Sequence, residues 1–412
     1  MLARDADVIV VGGGPAGAAT AWALARGGRE VLLLDKARFP RGKPCAEYVS
    51  PDALRHLDAM GVLNAARAAG APALVGMRIH APNGTTLTGD FGAARGFHGA
   101  HDRGLALTRP VLDALLLNAA RQIGVRVEDG VAVRDVVRDA TGRVVGVTTG
   151  DGRERRAALV VGADGLRSVI ARRLAVGGRH HGAPRVALVT HYADVDGMGD
   201  HGEMHVSPTG YVGLASVEHG LTNVAMVIPA AAAKGAASDP DGFVRAWLLA
   251  NTTLGPRLTR ARAATPVRTT GPFGWRVRRA WVPGAALVGD AADFYDPFTG
   301  EGIHAAFAGA ALLTPYAHAV CAARDARDAD IALAAYERAR RDAFRSKWIV
   351  EKVIGFVVRH PAFLDRLARG LAHRRDLSDV LVAVTGDVVP HSALFRPRFA
   401  LSLMRAWIFA HA

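Results

Sequence analysis

Cysteine is nearly absent. The 412 residues hold two, Cys45 and Cys321. Two are too few for a disulfide framework, a metal-ligand pattern or an iron–sulfur cluster held by this chain alone. No metal is expected, and the usage fits a reducing cytoplasm. Aromatic residues make up only 6%, against 50% hydrophobic overall, so the core must be built mainly from Ala, Val and Leu. Lysine is rare, although Lys and Arg together number 51 against 38 Asp and Glu, giving a formal charge of +13. The excess is arginine beside abundant Ala and Gly, a pattern a GC-rich genome produces without any anionic partner. The sharper alternative is such a partner: a membrane surface, an acyl carrier protein or an acidic substrate. No basic module interleaved with aromatics appears, so nucleic acid is not expected. No signal peptide is visible before the first apolar strand, and a cytoplasmic location is expected. The long apolar run 305–323 is broken by Pro315 and His318. It is expected as a buried core helix, not a membrane span.

The most informative segment that is present runs from Asp7 to Lys36. An apolar run, Val8–Val11, leads into Gly12-Gly-Gly14-Pro15-Ala16-Gly17, then an Ala-rich helix, then Val-Leu-Leu-Leu-Asp35-Lys36. Gly12 permits the tight turn, Gly14 lets the backbone approach a pyrophosphate, and Gly17 lets helix and strand pack closely. The helix N-terminus offers free N–H groups to phosphate. Asp35 ends the second strand, where an acid can accept hydrogen bonds from a ribose diol. Strands, helix and acid around the glycines make this a dinucleotide-binding unit. A second such fingerprint is not evident in the chain, so a separate nicotinamide-binding domain is not expected.

The remaining pattern is discontinuous. Residues 1–70, 100–180 and 280–325 read as the nucleotide-binding domain. Residues 71–99 and 181–279 read as an antiparallel-sheet domain inserted into it, and 326–412 as a helical C-terminal region. Thr108-Arg109-Pro110 opens a helix with proline at its first position. Runs 125–137 and 144–149 read as strands, with a hairpin turn at 139–142. The tail 394–409 mixes Arg with Phe, Leu, Met and Trp, as interfacial helices do. A helix docked on the fold is the preferred reading of it, and membrane association is not favoured.

Two further segments narrow the cofactor. Leu159–Arg172 contains Gly162-Ala-Asp164-Gly165, and 285–306 contains Gly289-Asp290 followed by Pro297-Phe298-Thr-Gly300-Glu-Gly302-Ile303-His304. With the N-terminal unit, these resemble, in type and order, the flavoprotein superfamily of p-hydroxybenzoate hydroxylase, geranylgeranyl reductases and flavin-dependent halogenases. The loop Phe39-Pro-Arg41-Gly-Lys43-Pro-Cys45 is most similar to the reductase and halogenase branch. The resemblance implies FAD. It also implies an α/β (α+β two-domain) fold: a Rossmann-like FAD-binding domain with an inserted antiparallel β-sheet substrate domain and a helical C-terminus.

By the same resemblance the cofactor set is Gly12, Gly14, Pro15, Ala16, Gly17, Asp35, Lys36, Arg41, Lys43, Arg109, Val133, Asp164, Gly289, Asp290, Pro297, Gly300, Gly302 and Ile303. Asp290 is expected on the ribityl chain. The helix opening at Gly302 would place a positive end near the isoalloxazine. Relatives carry Cys-Gly where this chain has Cys45-Ala46, which puts the local backbone conformation in question. His304, Glu47, Tyr48 and Cys45 are the candidates for catalysis, with His304 favoured as acid/base. His205, Tyr211, Trp275 and Phe298 are pocket candidates.

The halogenase sequence Trp-x-Trp-x-Ile-Pro is missing. Gly210–Ala215 stands where geranylgeranyl reductases have an aromatic stretch. The expected activity is therefore a single-component monooxygenase, with NADPH or NADH as transient reductant and a flavin C4a-hydroperoxide as oxidant. Its substrate is expected to be a hydrophobic or aromatic secondary-metabolite intermediate, free or bound to a carrier protein. The alternatives are a flavin reductase or dehydrogenase acting on a C–C bond, and a membrane-associated electron-transfer flavoprotein.

Overall fold

A computed structural model describes residues 4–94, 96–180 and 184–408. Val8–Val11 lies at the heart of a six-stranded sheet, between Leu159–Gly162 and Val31–Asp35, all three parallel. The sheet continues outward to Arg126–Asp129 on one side and to Ala285–Leu287 and Trp281–Val282 on the other. Only this last edge pair is antiparallel. Val8–Val11 and Val31–Leu34 are buried throughout, as strands covered on both faces must be. Helix Pro15–Arg26 packs against Arg109–Gln122 and Gly302–Ala322, and a three-stranded meander, Val133–Arg138, Val144–Thr149 and Glu154–Arg156, lies against Leu159–Gly162. The run 125–137, expected as one strand, is two strands in different sheets. Gly130, at φ +76°, turns the chain between Asp129 and Val133.

The second large sheet has eight strands among the described residues, and its central strands run Arg185–Ala193, Leu221–Pro229, Gly210–Ser216 and His201–Ser207 in spatial order. Gly76–His80 joins His201–Ser207 in parallel and pairs with Thr86–Asp90. Period-two alternation divides this sheet into two apolar faces. Leu188, Val212, Leu214 and Met226 pack with Val244 and Leu248 of helix Pro240–Ala250. Ala187, Val189, Met204, Tyr211, Ala225 and Val227 form the other face, which looks toward the FAD-type domain.

The helix Ala326–Arg359 ties the parts together. Tyr336 donates its hydroxyl hydrogen to the Leu287 carbonyl at 2.8 Å, and Glu337 accepts from the Ala280 N–H at 2.8 Å. Among the described residues one helix, Gly302–Ala322, is long and apolar enough to cross a membrane. Here it packs between Pro15–Arg26 and Ala326–Arg359. Of the tail, 397–408 is helical, and Phe409 lies outside the described residues.

Candidate active site

A cleft of about 1640 Å³, counting its open mouth, lies between the glycine turn and the apolar face of the second sheet. Gly14, Pro15, Ala16, Lys43, Cys45, Glu47, Tyr48, Arg109, Gly289, Asp290, Pro297, Gly300, Gly302, Ile303 and Tyr211 all line it. The sequence scatters these residues over almost 300 positions, and the fold brings them to one cleft.

The turn itself is tightly determined. Gly12 sits at φ +107°, and a Cβ on it would lie 2.4 Å from the Ala163 carbonyl oxygen. Asp35 is 8% exposed and accepts from the Gly13 N–H at 2.6 Å and from the Ala37 N–H at 2.7 Å. The carboxylate thus holds the glycine loop in place from the end of the neighbouring strand.

Beside the turn lie two cations, the buried Arg109 and the half-buried Arg41. Arg109 makes a bidentate contact with Asp113, both bonds 2.9 Å, one helical turn along from Arg109. Arg41 reaches the same carboxylate at 3.0 Å. Burial opposes the charge on Arg109, but Asp113 outweighs it and holds the guanidinium firmly protonated. A Cβ on Gly14 would meet only these two guanidinium groups, at 3.5 and 3.6 Å. The space over Gly14 is therefore a cradle with a helix N-terminus behind it and two arginines beside it. Farther along, Lys43 stands 3.5 Å from Asp290.

Glu47 is the most elaborately held acid in the cleft. Its φ is +57°, so the left-handed residue of this loop is Glu47, not the Ala46 that follows the cysteine. Its carboxyl accepts from the Arg109 backbone N–H at 3.0 Å and from the Asn223 amide at 2.9 Å, and it meets His191 Nε2 at 2.7 Å. His191 and Asn223 are direct cross-strand partners in the second sheet, which is why both point at one group. His191 Nδ1 in turn meets Thr265 Oγ1 at 3.1 Å. Cys45 Sγ accepts from the Glu47 N–H at 3.3 Å.

Tyr48 lies on the ring of Phe91, and its buried hydroxyl has no hydrogen-bond partner. Burial, with Asp387 and Glu301 nearby, pushes its pKa far up, so it stays a phenol. Behind it runs a chain of buried charges. Lys347 pairs with Glu301 at 2.8 Å and Glu351 at 3.3 Å, and His391 meets Glu301 at 2.6 Å. Lys347 and Glu351 line the cleft from the long helix.

Several expected residues stand elsewhere. His304 is not in the cleft wall. It is clamped between Asp52, 3.0 Å from Nε2, and Asp387, 2.9 Å from Nδ1. Burial works against its charge, but the two carboxylates win and raise its pKa to about 9. His205 points to the opposite side of its strand from Met204, which lines the cleft, and meets Glu203 at 2.9 Å. Asp164 accepts from Ser168 Oγ and the Val169 N–H, at 2.5 and 2.6 Å, and so caps a short helix. Trp275 lies over the backbone of Gly178, and Phe298 packs edge-on to Tyr211 at 5.0 Å. Gly12, Gly17 and Asp35 support the wall from behind, Val133 sits in the meander, and Lys36 is exposed. Two acid–histidine groups could in principle hold a metal, His80–Glu203–His205 and Glu301–Asp387–His391. Each already holds a cation, Arg257 on Glu203 at 2.6 Å and Lys347 on Glu301 at 2.8 Å.

Sequence reasoning missed Asp113, His191, Asn223, Lys347 and Glu351. Asp113 had a signal, the i, i+4 spacing from Arg109. The others depend on strand register or on how the long helix docks.

A parallel sheet with a glycine turn at its central strand, an arginine-lined cradle and a cleft at the strand ends define a dinucleotide-binding fold. The residues fit FAD: the cradle over Gly14 suits a pyrophosphate, and Asp290 and the 297–303 loop line the cleft beyond it. The chain belongs to the family described as "FAD binding domain", whose profile matches residues 5–346. It is 36% identical over 215 residues to menaquinone reductase of Mycobacterium tuberculosis (strain ATCC 25618 / H37Rv). That match covers 50% of each protein, so the chain spans about half the length of this relative. It is 32% identical over 323 residues to digeranylgeranylglycerophospholipid reductase 2 of Methanopyrus kandleri, covering 72% of this chain and 73% of that one. Among solved structures it resembles a flavoprotein/dehydrogenase from Cytophaga hutchinsonii, with TM-score 0.81, 21% identity and 98% of each chain covered.

Proposed function

We propose that the protein is a flavin-dependent reductase that saturates a carbon–carbon double bond in an apolar, chain-bearing substrate. The observation that carries the reading is Glu47. It is a buried acid in the cleft wall, between the Arg109 helix and an apolar sheet face, with His191 and Thr265 behind it. FAD held there would supply the hydride, with NADPH or NADH as the source of its electrons. Saturation then needs one proton at the second carbon, and the Glu47–His191 pair is placed to give it, Glu47 passing on a proton received from His191. Ala187, Val189, Ala225, Val227 and Phe273 exclude water along the chain of the substrate. Arg109 and Arg41 would hold the pyrophosphate, and Lys43 and Asp290 would hold the cofactor farther along. The names of the two sequence relatives, reductases of menaquinone and of a digeranylgeranyl glycerophospholipid, point the same way.

The monooxygenase reading keeps one supporting feature. The same apolar wall would protect an oxygen-transfer reaction from water. Anaerobic mixing separates the two. Holoenzyme reduced under argon is mixed with polyprenyl alkenes and isoprenoid quinones, and flavin absorbance is followed. Reoxidation without O₂, with two hydrogens added across a carbon–carbon bond of the isoprenoid chain and retained after any quinol is reoxidised to the quinone, supports the reductase. A flavin that stays reduced until O₂ is admitted, with an oxygenated product, overturns it.

A further inference from the structure

The long helix Ala326–Arg359 has two working faces. Lys347 and Glu351 point into the cleft, whereas Ile349, Val353 and Phe356 point to solvent, with Val353 53% exposed. The exposed apolar stripe does not end with the helix. Phe356 meets Phe363 of helix Pro361–Ala372 at 6.0 Å between ring centres, and Phe363 meets Trp407 of helix Pro397–Ile408 at 5.5 Å. That last helix docks through Ala406, with Phe399 and Leu403 turned the same way, and leaves Leu401 and Met404 at 54% and 55% exposed. Three helices thus present one continuous apolar face.

Cations predominate around this face. Between Arg345 and Arg375 the exposed charged side chains are all cations, Arg345, Lys352, Arg359 and Arg369 among them. Glu351 is buried there, and Asp365 is tied to the Asn83 N–H at 3.0 Å. From Val388 to Ala412 the sequence contains no Asp or Glu, but Arg396, Arg398 and Arg405. Apolar side chains rimmed by arginine, with only Asp342 and Asp376 as exposed acids at the two ends of the stretch, complement an anionic lipid surface: the rings and branched chains enter the acyl boundary while the guanidinium groups meet phosphates. The face also adjoins the cleft. A Cβ on Gly355, next to Phe356, would lie 3.5 Å from the ring of Tyr295, which lines the cleft.

We infer that the face built from Ile349, Val353, Phe356, Phe363, Leu401 and Met404 docks the protein on an anionic bilayer, with the cleft beside the lipid. The face, not the choice of reaction, carries this inference, so it stands whether the enzyme reduces or oxygenates its substrate.

The test is co-sedimentation of the FAD-loaded full chain with vesicles of phosphatidylcholine alone or mixed with phosphatidylglycerol. The expected result is pelleting with the anionic vesicles, at least about tenfold weaker on neutral ones, and weakened by salt. The double variant Val353→Ser/Phe356→Ser should lose about tenfold or more in vesicle affinity while keeping its flavin absorbance and its turnover of a detergent-dispersed substrate. Leu401→Ser/Met404→Ser on a different helix should do the same, which guards against one variant failing to fold. Wild-type protein that stays in the supernatant with both vesicles overturns the inference. So does a stable dimer in solution that the same substitutions split, because a second copy would then cover the face.

Discussion

Glu47 and His191 meet at 2.7 Å across the seam between the cofactor loop and the antiparallel sheet. The contact joins the two halves of the cleft through one acid, and its other acceptor positions are filled by the Arg109 N–H and the Asn223 amide. No orientation of a glutamine side chain satisfies all three, because one side would present an NH₂ to a donor. Glu47→Gln is expected to lower turnover by about 10²–10⁴-fold, the usual worth of a positioned proton donor. FAD binding should be unchanged. His191→Asn should lower turnover less. Equal activity of wild type and Glu47→Gln would remove this acid from the chemistry.

Gly14 and Gly17 separate folding from cofactor binding. A Cβ on Gly17 would sit 1.7 Å from the Gly12 carbonyl oxygen, backbone that cannot swing away. Gly17→Ala should give insoluble or flavin-free protein. A Cβ on Gly14 would meet nothing nearer than 3.5 Å. Gly14→Ala should therefore fold with its apo melting temperature nearly unchanged, yet bind FAD at least about tenfold more weakly, because the methyl fills the cradle. Flavin titration by fluorescence and apo Tm report the two effects independently.

His304 gives a pH signature. Its pKa is raised from 6.5 to about 9 in the folded protein. The charged form is favoured by folding, so its contribution is complete below pH 6.5 and is lost as pH rises through about 9. Burial pushes Asp387 upward, so the pair gives less than the shift at His304 alone would imply. Tm should fall between pH 6.5 and 9.5, and His304→Asn should lower Tm at pH 6.5 and flatten that fall. An unchanged slope in the variant would place the titrating group elsewhere.

The nucleotide-binding half was legible because its information is local. The turn at Gly12–Gly17, the acid at Asp35 and the helix start at Arg109 each follow from a few neighbouring residues. The catalytic half is a matter of register. Glu47 could be named from its loop, but His191 and Asn223 are 144 and 176 residues away and reach it only because their strands pair in one alignment. A one-residue question of parity likewise decides that Met204, not His205, faces the cleft. His304, directly after the 297–303 loop, looked like the acid of the site, yet one helical step turns it away toward Asp52 and Asp387. Lys347 and Glu351 have the spacing of an ordinary exposed helix pair, and nothing in their neighbourhood says that this face of the long helix is the inner one.

That buried pair supports a last prediction, in which two substitutions of neighbouring charges differ in cost. Lys347 is the cation between Glu301 and Glu351, and both carboxylates raise its pKa against the effect of burial. Glu301 is held ionised by Lys347 and His391 although burial opposes it. Replacing Lys347 with Met would leave a buried carboxylate short of its partner, a change that typically costs about 3–5 kcal/mol. Glu351 behaves differently, because burial prevails there and raises its pKa. A carboxyl whose folded pKa lies above its unfolded value loses stability as pH rises through that range. Glu351→Gln should therefore change Tm little at pH 5 and raise it relative to wild type at pH 8, while Lys347→Met lowers it at both. Thermal melts of the two variants at the two pH values measure the difference. A Glu351→Gln variant as damaged as Lys347→Met would mean that Glu351 is a full ionic partner of the lysine.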